Sequence, residues 1–194
     1  MIWFWWWEYD LPGQPDLIFD PERSGFKFYN LSEPGEETRI AGPIQFEVGR
    51  RTVASLARFS ILPATQFPLV RGAALQEFQA LPEDEVAFHA TNIACRDGEV
   101  DDFVLVRPKI QCQCADIEKS DIEWVREGEF YVMWKRLAAL PDSCMGGRSI
   151  VRDSLNRMIV VSDPFKARIE KLAVKAVAFT AVEGSRSGFA DWVP

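Results

Sequence analysis

The residues with the most chemistry in their types and spacing run from Cys112 to Asp121. Asp116, Glu118, Lys119, Ser120 and Asp121 follow directly on an apolar run, Phe103 to Val106, and an alternating stretch, Ile110 to Ala115. A Ser-Lys nucleophile pair requires a desolvated lysine. Lys119 stands among Asp116, Glu118 and Asp121, so it reads as ion-paired and protonated, within a turn or cap that satisfies backbone groups. Cys112-x-Cys114 invites a metal, but two sulfurs on one face of a straight strand sit about 7 Å apart. Zinc, at about 2.3 Å per thiolate, does not bridge that gap, so buried free thiols are expected. Cys95, Cys144 and His89 stand at no ligand spacing. His89 is the one histidine, so a histidine-based triad or dyad has a single possible member. Gly146-Gly147 is a bare pair, not a phosphate loop. Carboxylates cluster at Asp101-Asp102 and at Glu83, Asp84 and Glu85, and in an acidic chain such turns are mostly solvated surface. No catalytic set emerges. The expectation is a protein that is not an enzyme and takes no cofactor and no metal.

Composition narrows the partners. The 194 residues carry a formal charge of −7, which argues against nucleic acid as a partner and suits a basic protein. A hydrophobic content of 47%, with seven tryptophans, supplies a real core. No apolar run reaches the roughly 18 residues of a membrane span, and MIWFWWW lacks the basic flank of a signal peptide. Four cysteines without a dense framework point to reduced thiols and a cytoplasmic location.

These residues need elements to hold them. Ile2 to Tyr9 reads as a strand, and Trp3 to Trp7 cannot all face one way, so it is either covered on both faces or presents an aromatic patch. Gly25 to Leu31 and Pro43 to Val48 read as strands, with Asp20 to Ser24 a loop and Ser32 to Gly42 an exposed loop. Gly49 to Phe59 carries helical spacing, stopped by Pro63 and Pro68, and Ala73 to Leu81 reads as a second helix. Glu85 to Cys95 alternates as a strand and reaches Asp97-Gly98, a hairpin-turn pair. Pro108 belongs at an edge or bulge. Phe130 to Arg136 is a strand, and Arg148 to Arg152 and Met158 to Val161 are strands about an Asn156 turn. Ser162 caps a helix with Pro164 in its first turn and a Phe165, Ile169, Leu172 stripe. Ala176 to Val182 closes the strands. Strands outnumber helices without regular alternation. The expected fold is therefore a single α+β domain over 1–194, with a largely antiparallel or mixed β-sheet and about three peripheral helices.

Several of these segments carry a likeness. Pro43-Ile-Gln-Phe46, Phe67-Pro-Leu69, Ala115-Asp-Ile-Glu-Lys-Ser120, Arg148-Ser-Ile-Val-Arg152, Ile159-Val-Val-Ser-Asp163 and Ala178-Phe-Thr-Ala-Val182 are its pieces. The chain over roughly 43–183 resembles the bacterial immunity-protein family of polymorphic toxin systems named after a Myxococcus immunity protein, earlier catalogued as a domain of unknown function. It departs from that pattern at Lys175 and Ala176, where a glycine is expected, and across Glu85 to Asp102, which looks inserted. The resemblance implies a cytoplasmic inhibitor that binds a co-encoded toxin domain and blocks it without catalysis. The rival classes are a small enzyme built on His89 and the cysteines, and an adaptor module. The expected interface is the acidic hairpin Asp97, Glu99, Asp101 and Asp102, flanked by Glu83, Asp84 and Glu85, with no nucleic acid and no membrane as partner. The second choice is the aromatic patch at Trp3 to Trp7.

Overall fold

The aromatic N-terminal run forms a strand that is covered on both sides. In the computed structural model, which describes residues 1–7, 13–28, 31, 40–64, 66–126, 130–174 and 177–180, β1 (Ile2–Trp7) lies inside a five-stranded sheet. Its neighbours are β14 (Val177–Thr180) and β13 (Ile159–Ser162), followed by β12 (Ile150–Asp153) and the two-residue β9 (Gln111–Cys112). Alternation then divides the side chains. Ile2 and Phe4 join Val151, Val160, Leu137 and Met145 on one side. Trp5 and Trp7 join Ile150, Ile159 and Val161 on the other. Of the two expectations for this strand, the covered one holds.

A seven-stranded sheet supplies the second layer. Its order is β2 (Ile18–Phe19), β3 (Ile44–Glu47), β6 (Val86–Cys95), β8 (Val104–Pro108), β5 (Phe67–Val70) and β4 (Ile61–Ala64), with β7 (Gly98–Val100) also on β6. The pairs β3–β6 and β9–β12 are parallel and the others antiparallel. A separate hairpin, β10 (Asp121–Arg126) with β11 (Phe130–Arg136), forms a two-stranded sheet of its own. Ile61, Val70, Val86 and Val106 of the seven-stranded sheet share a cluster with Trp5 and Val161 of the five-stranded one. Two helices complete that cluster through Phe78 and Phe165: α3 (Gly72–Gln79) and α4 (Asp163–Glu170). The opposite face of the larger sheet packs Phe46, Phe67, Leu69, Ile93, Phe103 and Leu105. The chain is α+β, with mixed sheets and four described helices. No helix among the described residues is long and apolar enough to cross a membrane.

Two of those helices are single turns, and both differ from expectation. Asp20 to Ser24 holds α1 (Pro21–Ser24), because Asp20 accepts the Arg23 N–H at 2.9 Å, proline occupies the first turn and Gly25 closes it at φ 75°. The long helix expected over Gly49 to Phe59 shortens to α2 (Val53–Leu56), capped by Thr52, in which only Leu56 is buried. Pro63 and Pro68 do not merely stop a helix. They face each other in the β4–β5 hairpin, where Pro63 lies on the edge strand and Pro68 precedes the β8 pairing, which begins at Leu69. Gly25 to Phe28 forms no strand, yet Phe26 and Phe28 still pack their rings on Phe19. The β6–β7 hairpin turns on Arg96-Asp97, one residue earlier than expected, with Cys95 opposite Gly98. Pro108 ends β8 and pairs only with Val86 of β6. Helix α4 falls where the spacing put it, with Phe165 and Ile169 buried on it and Leu172, just past its end, packed against the same cluster. Most of the Ser32 to Gly42 loop, and Lys175 and Ala176, lie outside the described residues.

Candidate functional site

The acidic hairpin is tied down. Asp97 accepts the Val53 N–H at 2.8 Å, serving the first turn of α2. Glu99 pairs with Arg23 at 3.1 Å and accepts the Asn92 amide at 2.9 Å, and the two bonds hold its carboxyl below its ordinary value, Asn92 first. Asp102 pairs with Arg71 at 3.0 Å. Arg71 also donates to the carbonyls of Leu56 and Phe59 and stacks on Phe103, so that pair locks a junction. At this junction Gly72, at φ 57°, turns the chain from β5 into α3. Asp101 is exposed. Arg96 stands in the turn and its N–H donates to the Arg51 carbonyl at 2.8 Å, and these two arginines make the local charge mixed rather than acidic.

Glu83, Asp84 and Glu85 sit elsewhere. They precede β6 whereas the hairpin turn follows it, and a ten-residue strand separates the two by about 30 Å. Glu85 is buried and accepts the N–H groups of Ser149 and Ile150, which fastens β12 to the start of β6. Glu83 and Asp84 remain exposed.

What joins the two ends is one face of β6. Val86, Phe88, Ala90, Asn92 and Ala94 share it by alternation. Helix α3 covers Val86, and beyond Val86 the face leaves that cover. Phe88 is 41% exposed and Ala90 is exposed, in a strand whose opposite face is core. Register extends the face sideways: Ala90 lies opposite Val104, and Ile18, Glu47, Ala94 and Glu99 form one cross-strand row over β2, β3, β6 and β7. A groove of about 550 Å³ lies where the face meets α3, lined by Leu75, Gln79, Leu81, Glu83, Val86, Ala87, Phe88, Val104 and Lys109. Lys109 donates to the Glu83 carbonyl at 2.9 Å and closes that end. Leu75, Phe88 and Val104 make an apolar centre. Glu83 and Lys109 rim one end, and Glu47, Glu99 and Arg23 the other. That anatomy fits a protein interface. The strand reading of Glu85 to Cys95 contained the signal, since Phe88 and Ala90 follow Val86 on one face, but only the length of α3 decides where cover stops.

The other candidates resolve differently. The turn after Cys114 is structural: Lys119 pairs with Asp116 at 2.9 Å, and Ser120 donates to the Asp116 carbonyl while accepting the Ala138 N–H. The Lys119 hydrogen bond holds the Asp116 carboxyl below its ordinary value and raises the Lys119 ammonium. His89 lies opposite Leu105 in the β6–β8 ladder. A small cavity of about 120 Å³ is lined by Trp5, Trp6, Trp7, Gln66 and Asn156 to Ile159. That is below the roughly 300 Å³ at which small-molecule pockets begin. Cys114 and Cys144, 30 residues apart, bring their sulfurs within 3.1 Å of each other, a contact their spacing did not announce. Among the described residues no group of three or more His, Cys, Asp or Glu is arranged to hold a metal. Compared with known proteins, the chain matches no protein-family model and shows no significant similarity to a curated protein.

Proposed function

We propose that this chain is an immunity-type inhibitor, a bacterial cytoplasmic protein that binds a co-encoded toxin domain and blocks it without catalysing a reaction. The observation that carries the reading is the open face of β6, with Phe88 41% exposed between an apolar groove and a charged rim. A strand face left open beside a helix costs solubility unless something docks there, and a central aromatic with a polar rim is how protein interfaces concentrate energy. The formal charge of −7 favours approach by a basic partner such as the cleft of a nuclease or nucleotide-handling toxin. The resemblance over 43–183 points to the same class of protein. The rim acids Glu47, Glu83 and Glu99, with the exposed Asp84 and Asp101, steer, and Phe88 anchors.

The test uses the toxin domain encoded beside this chain. Co-expression is expected to rescue growth, and the purified proteins to inhibit toxin activity at one-to-one stoichiometry. Rescue with no complex formed, or loss of toxin activity at substoichiometric amounts of the chain, would point to catalysis instead. A stable complex with a protein that is not a toxin would favour an adaptor.

A further inference from the structure

The cysteines left aside by the interface form a group of their own. Cys114 is buried, with its N–H held by Asp153 at 2.6 Å and its carbonyl accepting the Leu140 N–H at 2.8 Å. Cys144 stands half-buried in the 3₁₀ turn Asp142–Met145. Their sulfurs are 3.1 Å apart, and Cys112 packs in the same apolar cluster. The chain between them leaves the body as the β10–β11 hairpin, which pairs with neither large sheet. Its root is held by a short ladder: Asp116 N–H to the Ala138 carbonyl at 2.8 Å, the Ala115–Ala139 bridge and the Leu140–Cys114 bond. A covalent link between Cys114 and Cys144 would cross that root at the point where the hairpin departs.

We propose that Cys114 and Cys144 are an oxidant-responsive pair that closes to a disulfide and clamps the root of the β10–β11 hairpin. The oxidant is a peroxide. The Cys144 thiolate, the more exposed of the two, attacks one peroxide oxygen; the O–O bond breaks, and the leaving hydroxide takes a proton to become water. The Cys144 sulfenic acid stays in contact with Cys114. The Cys114 sulfur attacks the Cys144 sulfur, the S–O bond breaks and a second water leaves with the Cys114 proton. Two thiols lose two electrons and two hydrogens, and one peroxide becomes two waters. The sulfurs must close by about 1 Å to reach bonding distance. Burial raises both thiols, Cys114 the further, so the more accessible Cys144 makes the first attack. A dithiol reductant reverses the link by exchange.

The full-length chain is treated with hydrogen peroxide, denatured, alkylated and mapped by peptide mass spectrometry. Alkylatable thiols are expected to fall from four to two, with a Cys114–Cys144 cross-linked peptide that dithiothreitol removes. Amide exchange across 115–140 is expected to slow, and the melting temperature to rise by several degrees. Cys95→Ser and Cys112→Ser should each keep the cross-link, and Cys144→Ser should lose it. Four free thiols after an exposure that fully oxidises a cysteine-containing reference peptide would overturn the proposal. So would a cross-link that uses Cys112 or Cys95, or one that joins two chains.

Discussion

Strands β1 and β6 both carry aromatic residues in the middle of a sheet, and the two strands use them in opposite ways. In β1, Ile2 and Phe4 face one cluster while Trp5 and Trp7 face another, so the strand is buried on both sides. In β6 the odd-numbered face, with Thr91 and Ile93, is core, while the even-numbered face leaves its cover after Val86 and exposes Phe88. Burial in a strand is set by what packs on each face, not by how aromatic the strand is. The aromatic run most conspicuous in the sequence is scaffold, and among the described residues Phe88 is the exposed aromatic. Acidic side chains show a similar contrast between an enclosed position and the open face. Asp153, in the five-stranded sheet, accepts N–H groups of Cys114, Ala115, Leu155 and Asn156 and is wholly buried. Glu47 and Glu99 on the open face meet solvent.

The comparison breaks first if β1 is not scaffold. Phe4→Ala should lower unfolding stability by about 3–5 kcal/mol, the range for truncating a fully buried phenylalanine, read by urea denaturation. A loss under about 1 kcal/mol would mean that the side chain is not the core residue its 1% exposure indicates. Asp153→Ala comes next. It strands four backbone donors at the β9–β12 turn region and should cost about 3 kcal/mol, with Asp153→Asn costing less because one acceptor oxygen remains.

The hairpin acids should separate into structural and exposed members. Asp97→Ala removes the acceptor at the first turn of α2 and should cost about 1 kcal/mol. Glu99→Gln and Asp102→Asn break solvent-exposed pairs and should lower the unfolding midpoint only slightly, and less in high salt. Asp101→Asn should leave the unfolding midpoint unchanged.

A smaller effect appears with pH. Because the Lys119 hydrogen bond depresses the folded-state value of Asp116, the carboxylate contributes stability above the ordinary aspartate range. That contribution is lost as pH falls through the depressed folded value. The difference in urea midpoint between wild type and Asp116→Asn should therefore shrink on moving from pH 6 to strongly acidic solution. A difference that grew with acidity would remove the pair from the account of this turn.

Much of the fold follows from local pattern. The Phe165 and Ile169 spacing after Ser162-Asp-Pro signals a helix from local pattern alone, and α4 forms there, ending two residues before Leu172. The Ile150 to Asp153 and Ile159 to Ser162 strands needed only the Asn156 turn, which Asp153 and Asn156 brace through their own neighbours' N–H groups. The one-turn helices α1 and α2 were hidden because each depends on a single cap and a distant contact. For α2 that contact is Asp97, 44 residues away. The carboxylates of the candidate site were legible as a cluster in sequence, but their partners Arg23 and Arg71 come from other elements. The open face of β6 was less legible still. Its exposure depends on α3 ending at Gln79 and on β3 pairing only from Ile44, neither of which alternation in β6 encodes.

Phe88→Ala gives the most direct test of the central claim, because it should barely affect the fold and strongly affect docking. Its stability should change by about 1 kcal/mol or less, since the ring is already half in water. Affinity for the proposed toxin partner, measured by surface plasmon resonance, should fall roughly 30-fold, about 2 kcal/mol, mainly through faster dissociation. Glu83→Gln with Asp84→Asn should instead slow association and flatten its salt dependence. A Phe88→Ala chain that folds as wild type and binds the toxin with unchanged affinity would contradict the assignment of the β6 face as the interface.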